Sequence, residues 1–199
     1  MCVICVSKAG ERQPTKAELQ EMWRRNPDGA GYMFARDGQV FIHKGFMTFA
    51  EFYRNVKAEN FTEEDSVVYH LRIATQGGIN PYMTHPFALT KNLDNTKILD
   101  LTCPIGIAHN GVIQLTSDGD KEFSDTAKFI VGYLTRIVRK ASDIRDNATL
   151  EIISEVAGGR WALLDKSGYV AIAGKWTEDR GLLLSNDFHK FTFTNVITR

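Results

Sequence analysis

Apolar and polar residues alternate at the very start of the chain, and this pattern predicts a strand over residues 2–7. Helical composition follows over residues 15–25, where Thr15 and Glu18 have the spacing of a capping box. Because chain ends usually fray, a terminal segment that forms part of a sheet indicates that the end itself has a role.

The remaining apolar periodicity predicts strands and helices in an order that favours an α+β fold, with two sheets faced by helices. The predicted strands are 29–36, 39–44, 66–75, 97–109, 161–165, 169–173, 181–186 and 191–196, and the further predicted helices are 49–58, 124–140 and 149–157. No internal repeat, low-complexity segment or linker interrupts this order. We therefore expect one domain over residues 1–199.

The composition is that of an ordinary folded protein and excludes some classes of partner. Hydrophobic residues make up 43% of the chain, and 24 basic residues balance 24 acidic ones. Without a run of like charge, we expect no strong binding to nucleic acid or to an anionic membrane. The chain has neither a signal-peptide pattern nor an apolar run long enough to span a bilayer, which predicts a cytoplasmic protein.

The cysteines and histidines predict no metal site and no cofactor. Three cysteines, at positions 2, 5 and 103, are too few for a disulfide framework or a paired-CxxC zinc site. The histidines at positions 43, 70, 109 and 189 have no spacing that converges on a metal. We expect Cys5 and Cys103 to be packing residues.

Cys2 can supply both a nucleophile and a base once Met1 is removed. Methionine aminopeptidases remove an initiator Met that precedes a small side chain, which leaves a cysteine with a thiol and a free α-amine. A thiol pKa of about 8.5 and an amine pKa of about 7.7–8.0 allow proton transfer near neutral pH. The simpler interpretation is that Cys2 is a small apolar strand residue.

Several short motifs, taken in order, carry a family resemblance. They are Cys2-Val-Ile-Cys, Asn26-Pro-Asp-Gly-Ala-Gly, His70-Leu-Arg-Ile-Ala-Thr, Thr84-His-Pro-Phe, Ala108-His-Asn-Gly-Val-Ile and Ser124-Asp-Thr, with a weaker echo at Leu184-Ser-Asn. From residue 2 to about residue 125 the chain resembles the class II glutamine amidotransferases. The resemblance implies the four-layer αββα sandwich of the N-terminal-nucleophile hydrolases, and an enzyme in which Cys2 attacks the side-chain amide of glutamine.

The resemblance also implies roles for individual residues around the nucleophile. Arg72 would bind the α-carboxylate of glutamine through its planar fork, and Asp125 would accept hydrogen bonds from the α-ammonium. The side-chain amide of Asn110 and the backbone N–H of Gly111 would form the oxyanion hole. Simpler alternatives are a surface ion pair for Arg72, a helix-start aspartate for Asp125 and an ordinary Asn-Gly turn.

Thr75, Gly77 and His85 resemble the loop that lines the glutamine pocket in this family. In many relatives the segment after the arginine reads Trp-Ala-Thr-His-Gly, whereas here Ile73 replaces the aromatic residue and Gln76 the histidine. These departures leave open a substrate other than glutamine.

Three functions therefore compete. The first is a stand-alone glutaminase that releases ammonia through a Cys2 thioester. Because the chain ends soon after the glutaminase-like region, either a separate synthase subunit would use the ammonia or the protein would be a bare glutaminase. The second is a hydrolase of another γ-glutamyl or small amide compound. The third is a catalytically silent interaction module of the same fold, with a partner surface at the aromatic-rich residues 188–193.

Overall fold

The computed structural model of the protein describes residues 1–74, 78–118 and 122–186. This part of the chain has an α+β fold with two antiparallel sheets and few helices. The strands are β1 Val3–Ser7, β2 Ala30–Arg36, β3 Gln39–Phe46, β4 Val67–Leu71, β5 Phe87–Ala88, β6 Asp100–Cys103, β7 Ile105–Asn110, β8 Arg160–Asp165, β9 Val170–Ala173, β10 Thr177–Asp179 and β11 Leu182–Leu184. Their order is β10-β11-β1-β4-β2-β3-β6 in the seven-stranded sheet and β5-β7-β8-β9 in the four-stranded sheet.

The helices are α1 Lys16–Arg25, α2 Phe49–Ala58, α3 Asp125–Phe129, α4 Thr135–Ile137 and α5 Asn147–Ala157. A π-helical segment, Ile130–Leu134, joins α3 to α4. Short 3-10 turns cover Pro81–Met83, Asp94–Lys97, Gln114–Thr116 and Asp143–Arg145. No helix among the described residues is long and apolar enough to cross a bilayer.

Local sequence signals account for several of these elements. The Thr15 hydroxyl accepts a hydrogen bond from Glu18 N at 3.2 Å, and the Glu18 carboxylate accepts one from Thr15 N at 2.8 Å, so the predicted capping box begins α1. Asp37 and Gly38 both have positive φ, of 51° and 70°, as the tight turn between β2 and β3 requires.

Three hydrophobic clusters hold the elements together. One joins the seven-stranded sheet to α1 and α2, one contains residues of both sheets, and one joins the four-stranded sheet to α3, α5 and the π-helical segment. Successive residues of β1 alternate between two clusters: Val3 and Cys5 belong to the first, Ile4 and Val6 to the second. The strand that follows the N-terminus is therefore buried on both faces.

Three of the predicted elements differ clearly from the structure. The predicted strand 97–109 is two strands in different sheets, β6 and β7, separated at Pro104, which lacks the N–H that a continuous ladder needs. The predicted strand 66–75 ends at Leu71. The predicted helix 124–140 ends at Ile137 and contains the π-helical segment. The predicted strand 191–196 lies outside the described residues.

Candidate active site

Cys2 lies at the end of a central strand of the seven-stranded sheet. It comes immediately before β1, which pairs with β11 on one side and with β4 on the other. Val3 is opposite Leu71 in the antiparallel ladder, so Cys2 lies beside the end of β4, where Arg72 follows. The Cys2 thiol is half-buried and donates a long hydrogen bond, 3.5 Å, to the carbonyl of Ile73.

A small cavity lies beside Cys2 and brings together residues that are far apart in the sequence. Its lining consists of Cys2, Arg72, Ile73, Met83, His85, His109, Gly111, Val112, Ser124, Asp125 and Thr126. Five of the predicted site residues are among them. The cavity volume is about 40 Å³, little more than the ~30 Å³ that one water molecule occupies in the liquid. A free amino acid would therefore have to open it further.

A larger cavity lies elsewhere in the described part of the chain. It measures about 390 Å³, has Leu89, Ile105 and Val138 among its lining residues, and carries the exposed cations Lys91, Arg139 and Lys140 at its edge. It is lined by none of the predicted site residues. Its position at the Ile105 end of β7, opposite the Asn110 end, separates it from Cys2.

Arg72 is a buried cation held by a turn of the chain. Only 5% of its surface is exposed. Its backbone N–H donates to Gly29 O at 2.8 Å, and its carbonyl accepts from Asp28 N at 2.9 Å. Burial lowers the pKa of the Arg72 guanidinium, and the neighbouring acidic groups Cys2, Asp28 and Asp125 oppose that effect. Because arginine keeps its proton in proteins, the cavity has a fixed positive charge.

Asp125 is the first residue of α3, directly after the N-cap Ser124. One carboxylate oxygen accepts a hydrogen bond from Ile113 N at 2.7 Å, and the other accepts one from Thr126 N at 2.8 Å. These bonds tie the helix start to the chain that follows Gly111, so part of the role of Asp125 is structural. The oxygen that binds Thr126 N also accepts from the Thr126 hydroxyl at 3.4 Å, whereas the oxygen that binds Ile113 N has a second lone pair for a further hydrogen bond.

Asn110 and Gly111 follow one another but face different surroundings. The side-chain amide of Asn110 donates to Cys2 O at 2.6 Å and to Ser185 Oγ at 2.8 Å, and Asn110 does not line the cavity. Gly111 does line it, and a Cβ there would approach His109 Nε2 at 2.8 Å. The predicted oxyanion role of Asn110 would need one of its two bonds to open.

Burial also governs the ionisation of the groups around the cavity. It raises the pKa of the Cys2 thiol, and the neighbouring Arg72 charge only partly offsets this. Burial lowers the pKa of His70 and that of His109 to about 3, and it lowers the pKa of His85 well below the usual range. At neutral pH the thiol is therefore protonated and the three imidazoles are neutral.

His70, His85 and His109 are all buried, and His85 and His109 line the cavity with Cys2. The rings of His70 and His85 are 4.4 Å apart, and the ring of His109 stacks on Trp161 at 4.2 Å. His109 Nδ1 is 3.0 Å from the Thr126 hydroxyl. Only His85 of the three is a site residue predicted from the sequence, although His70 and His109 each lie in one of the motifs that carry the family resemblance.

Two further residues contact the Cys2 region without a role predicted from the sequence. Asn186 donates from its side-chain amide to Cys2 O at 2.5 Å, and the Ser185 hydroxyl accepts from both Ile4 N and Asn110. The weak motif echo at Leu184-Ser-Asn was the available signal. Thr75, Gln76, Gly77 and residues 188–193 lie outside the described residues.

Comparisons with known proteins identify no family for this chain. No protein-family model matches the chain, and no curated protein matches it significantly. Among the described residues, no group of three or more His, Cys, Asp or Glu side chains is arranged to hold a metal ion.

Proposed function

We propose that the protein is a class II glutamine amidotransferase domain with the four-layer αββα fold, and that Cys2 becomes its N-terminal nucleophile. The observation that carries the proposal is the cavity that Cys2 shares with Arg72, Gly111 and Asp125. The first hydrophobic cluster joins helices to the seven-stranded sheet, the second contains residues of both sheets, and the third joins the four-stranded sheet to helices. This order of contacts is consistent with that fold.

The charges around the cavity suit a free amino acid. The guanidinium of Arg72 matches an α-carboxylate, and the carboxylate of Asp125 matches an α-ammonium. An ordinary surface ion pair would not explain a buried arginine that lines a cavity with a cysteine. A glutamine bound at both charged ends would present its side-chain amide to the Cys2 thiol.

The raised pKa of the thiol calls for a base, and the α-amine exposed by removal of Met1 supplies one. The amine takes the thiol proton as sulfur attacks the amide carbon, and it returns that proton to the leaving nitrogen. Ammonia departs and leaves a γ-glutamyl thioester on Cys2. Water then hydrolyses the thioester to glutamate and restores the thiol. The backbone N–H of Gly111 suits the developing oxyanion.

The ammonia would pass to an acceptor held by a separate synthase subunit. A cytoplasmic location would keep the nucleophilic thiol reduced.

The proposal is tested by measuring glutamate and ammonia release from glutamine by protein whose loss of Met1 is verified by intact mass. We expect turnover by the natural sequence, none by Cys2→Ala, and unchanged turnover by the matched control Cys103→Ala. A glutamine analogue such as 6-diazo-5-oxo-L-norleucine should label Cys2 stoichiometrically. A folded, Met-free protein that releases no glutamate would overturn the proposal.

Two outcomes of the same experiment would reassign the function. Faster turnover of γ-glutamyl amines than of glutamine would keep the nucleophile and change the substrate, as the departures at Ile73 and Gln76 suggest. Retention of Met1 would block the α-amine and favour the catalytically silent module.

A further inference from the structure

The backbone at Cys2 has little to hold it once Met1 is gone. Regular pairing of β1 with β4 begins at Val3, and Cys2 itself lies outside the ladder. A terminal residue in that position would normally fray. A nucleophile that must stay within reach of its substrate therefore needs another restraint on its main chain.

That restraint comes from two carboxamides that meet at one carbonyl. Asn110 and Asn186 each donate a side-chain N–H to Cys2 O, at 2.6 and 2.5 Å. Asn110 ends β7 in the four-stranded sheet, whereas Asn186 follows β11 in the seven-stranded sheet. Their exposed fractions are 1% and 8%. Two buried donors from different sheets thus converge on the carbonyl of the N-terminal residue.

Ser185 connects this contact to the strand. Its hydroxyl accepts hydrogen bonds from Ile4 N and from Asn110 Nδ2, both at 2.8 Å, and its backbone N–H donates to Ile4 O at 2.9 Å. Ser185 is 2% exposed. It therefore fixes the amide of Asn110 relative to β1, so that the carbonyl of Cys2 and the group that holds it move together.

We infer that Ser185 and Asn186 are positioning residues for the nucleophile and that, with Asn110, they form a carbonyl clamp on Cys2. Holding the carbonyl fixes rotation about the Cα–C bond of Cys2. That rotation sets the directions of both the thiol and the α-amine relative to β1. The inference rests on the proposed function for its catalytic consequence, but the clamp itself concerns only the conformation of Cys2.

The test compares Asn186→Ala and Ser185→Ala with Asn55→Ala. Asn55 is a matched control because its side-chain amide also donates to a backbone carbonyl, that of Glu51 at 2.9 Å, but on α2. For the clamp variants we expect kcat with glutamine to fall about tenfold or more, since a small misplacement of a reacting group is costly. KM should change less than about threefold, because Arg72 and Asp125 are untouched.

Two reagents then separate positioning from general loosening of the fold. Inactivation by 6-diazo-5-oxo-L-norleucine requires a correctly placed thiol and should slow about tenfold in the clamp variants. Condensation of 2-cyanobenzothiazole needs only an accessible N-terminal aminothiol and should become faster. Iodoacetamide labelling of the buried Cys5 and Cys103 should stay as slow as in the unmodified protein.

Each outcome decides the matter. Rates for both reagents within about twofold of the unmodified protein would overturn the clamp, and so would faster labelling of Cys5 and Cys103 together with Cys2. If the unmodified protein neither hydrolyses glutamine nor reacts with 6-diazo-5-oxo-L-norleucine, the proposed function is wrong. The rates of reaction with 2-cyanobenzothiazole would still test the clamp. If Ser185→Ala fails to fold, Asn186→Ala alone decides.

Discussion

The cavity beside Cys2 contains one fixed positive charge, and its chemistry depends on the shape of the group that carries it. The guanidinium of Arg72 has a planar fork that can bind both oxygens of a carboxylate, whereas an ammonium binds as a point charge. Its backbone is held by the turn at Asp28 and Gly29, so the direction of the side chain is set by the fold. The role of Arg72 can therefore be tested without removing its charge.

Replacing Arg72 by lysine should raise KM for glutamine about 10- to 100-fold, the cost of losing a charge-assisted hydrogen bond. We expect kcat to fall less, because the thiol and the α-amine are not changed. Steady-state kinetics with glutamine measure both quantities.

Arg36→Lys provides the control for this substitution. Arg36 pairs with Glu59 at 3.2 Å on the partly exposed side of the sheet, so its replacement should leave KM unchanged. An unchanged KM in Arg72→Lys would show that Arg72 does not bind the substrate.

Among the elements, β2 and β3 position the segment that carries His85. A Cβ on Gly31 would lie 2.3 Å from the carbonyl of His85 and 2.6 Å from Lys44 Cβ, so only glycine allows this approach. Lys44, on β3, donates from Nζ to Tyr82 O at 3.1 Å and to Thr96 O at 2.6 Å. Two neighbouring strands thus hold one wall of the cavity.

Gly31→Ala should lower the free energy of unfolding by about 1–3 kcal/mol, because a backbone carbonyl cannot move aside as a flexible side chain can. Urea unfolding measures the change. Gly132→Ala, in the π-helical segment, is the control, since a Cβ there meets nothing within 4 Å. It should leave stability unchanged or raise it by up to about 1 kcal/mol. Equal effects of the two substitutions would contradict this account of the wall.

At the scale of the whole molecule, the described part of the chain buries three neutral imidazoles, and this links stability to pH. Burial lowers the pKa of His70 and that of His109 to about 3 on folding, and it lowers the pKa of His85 well below its usual range. The unfolded chain binds protons at these residues below a pH of about 6.5, while the folded protein does not. Stability is therefore complete above that pH and is lost as pH falls towards 3.

We predict that the free energy of unfolding falls between pH 6.5 and pH 4.5, by up to about 4 kcal/mol per pH unit when all three imidazoles contribute. Urea unfolding at several pH values measures this slope. His70→Gln should reduce the slope by the contribution of about one proton taken up on unfolding. Lys57→Gln, an exposed substitution on α2, should leave the slope unchanged. A free energy that stays constant from pH 7 to pH 5 would contradict the prediction.

Elements with local signals were predicted from the sequence. The capping box of Thr15 and Glu18, the Asp37-Gly38 turn and the apolar spacing of 49–58 all involve residues a few positions apart, and each matches an element of the structure. The candidate site was predicted in part: five of its residues line one cavity. Their substrate and their chemistry stay predictions.

What the sequence determined by itself is the set of local elements and the candidate residues, because short-range hydrogen bonds and side-chain periodicity act between near neighbours. Tertiary structure decided the rest. It placed β6 and β7 in different sheets, buried three histidines together, and brought Asn186 to a carbonyl 184 positions earlier in the chain. Such contacts depend on how whole sheets pack, and no local pattern encodes which distant residues will meet.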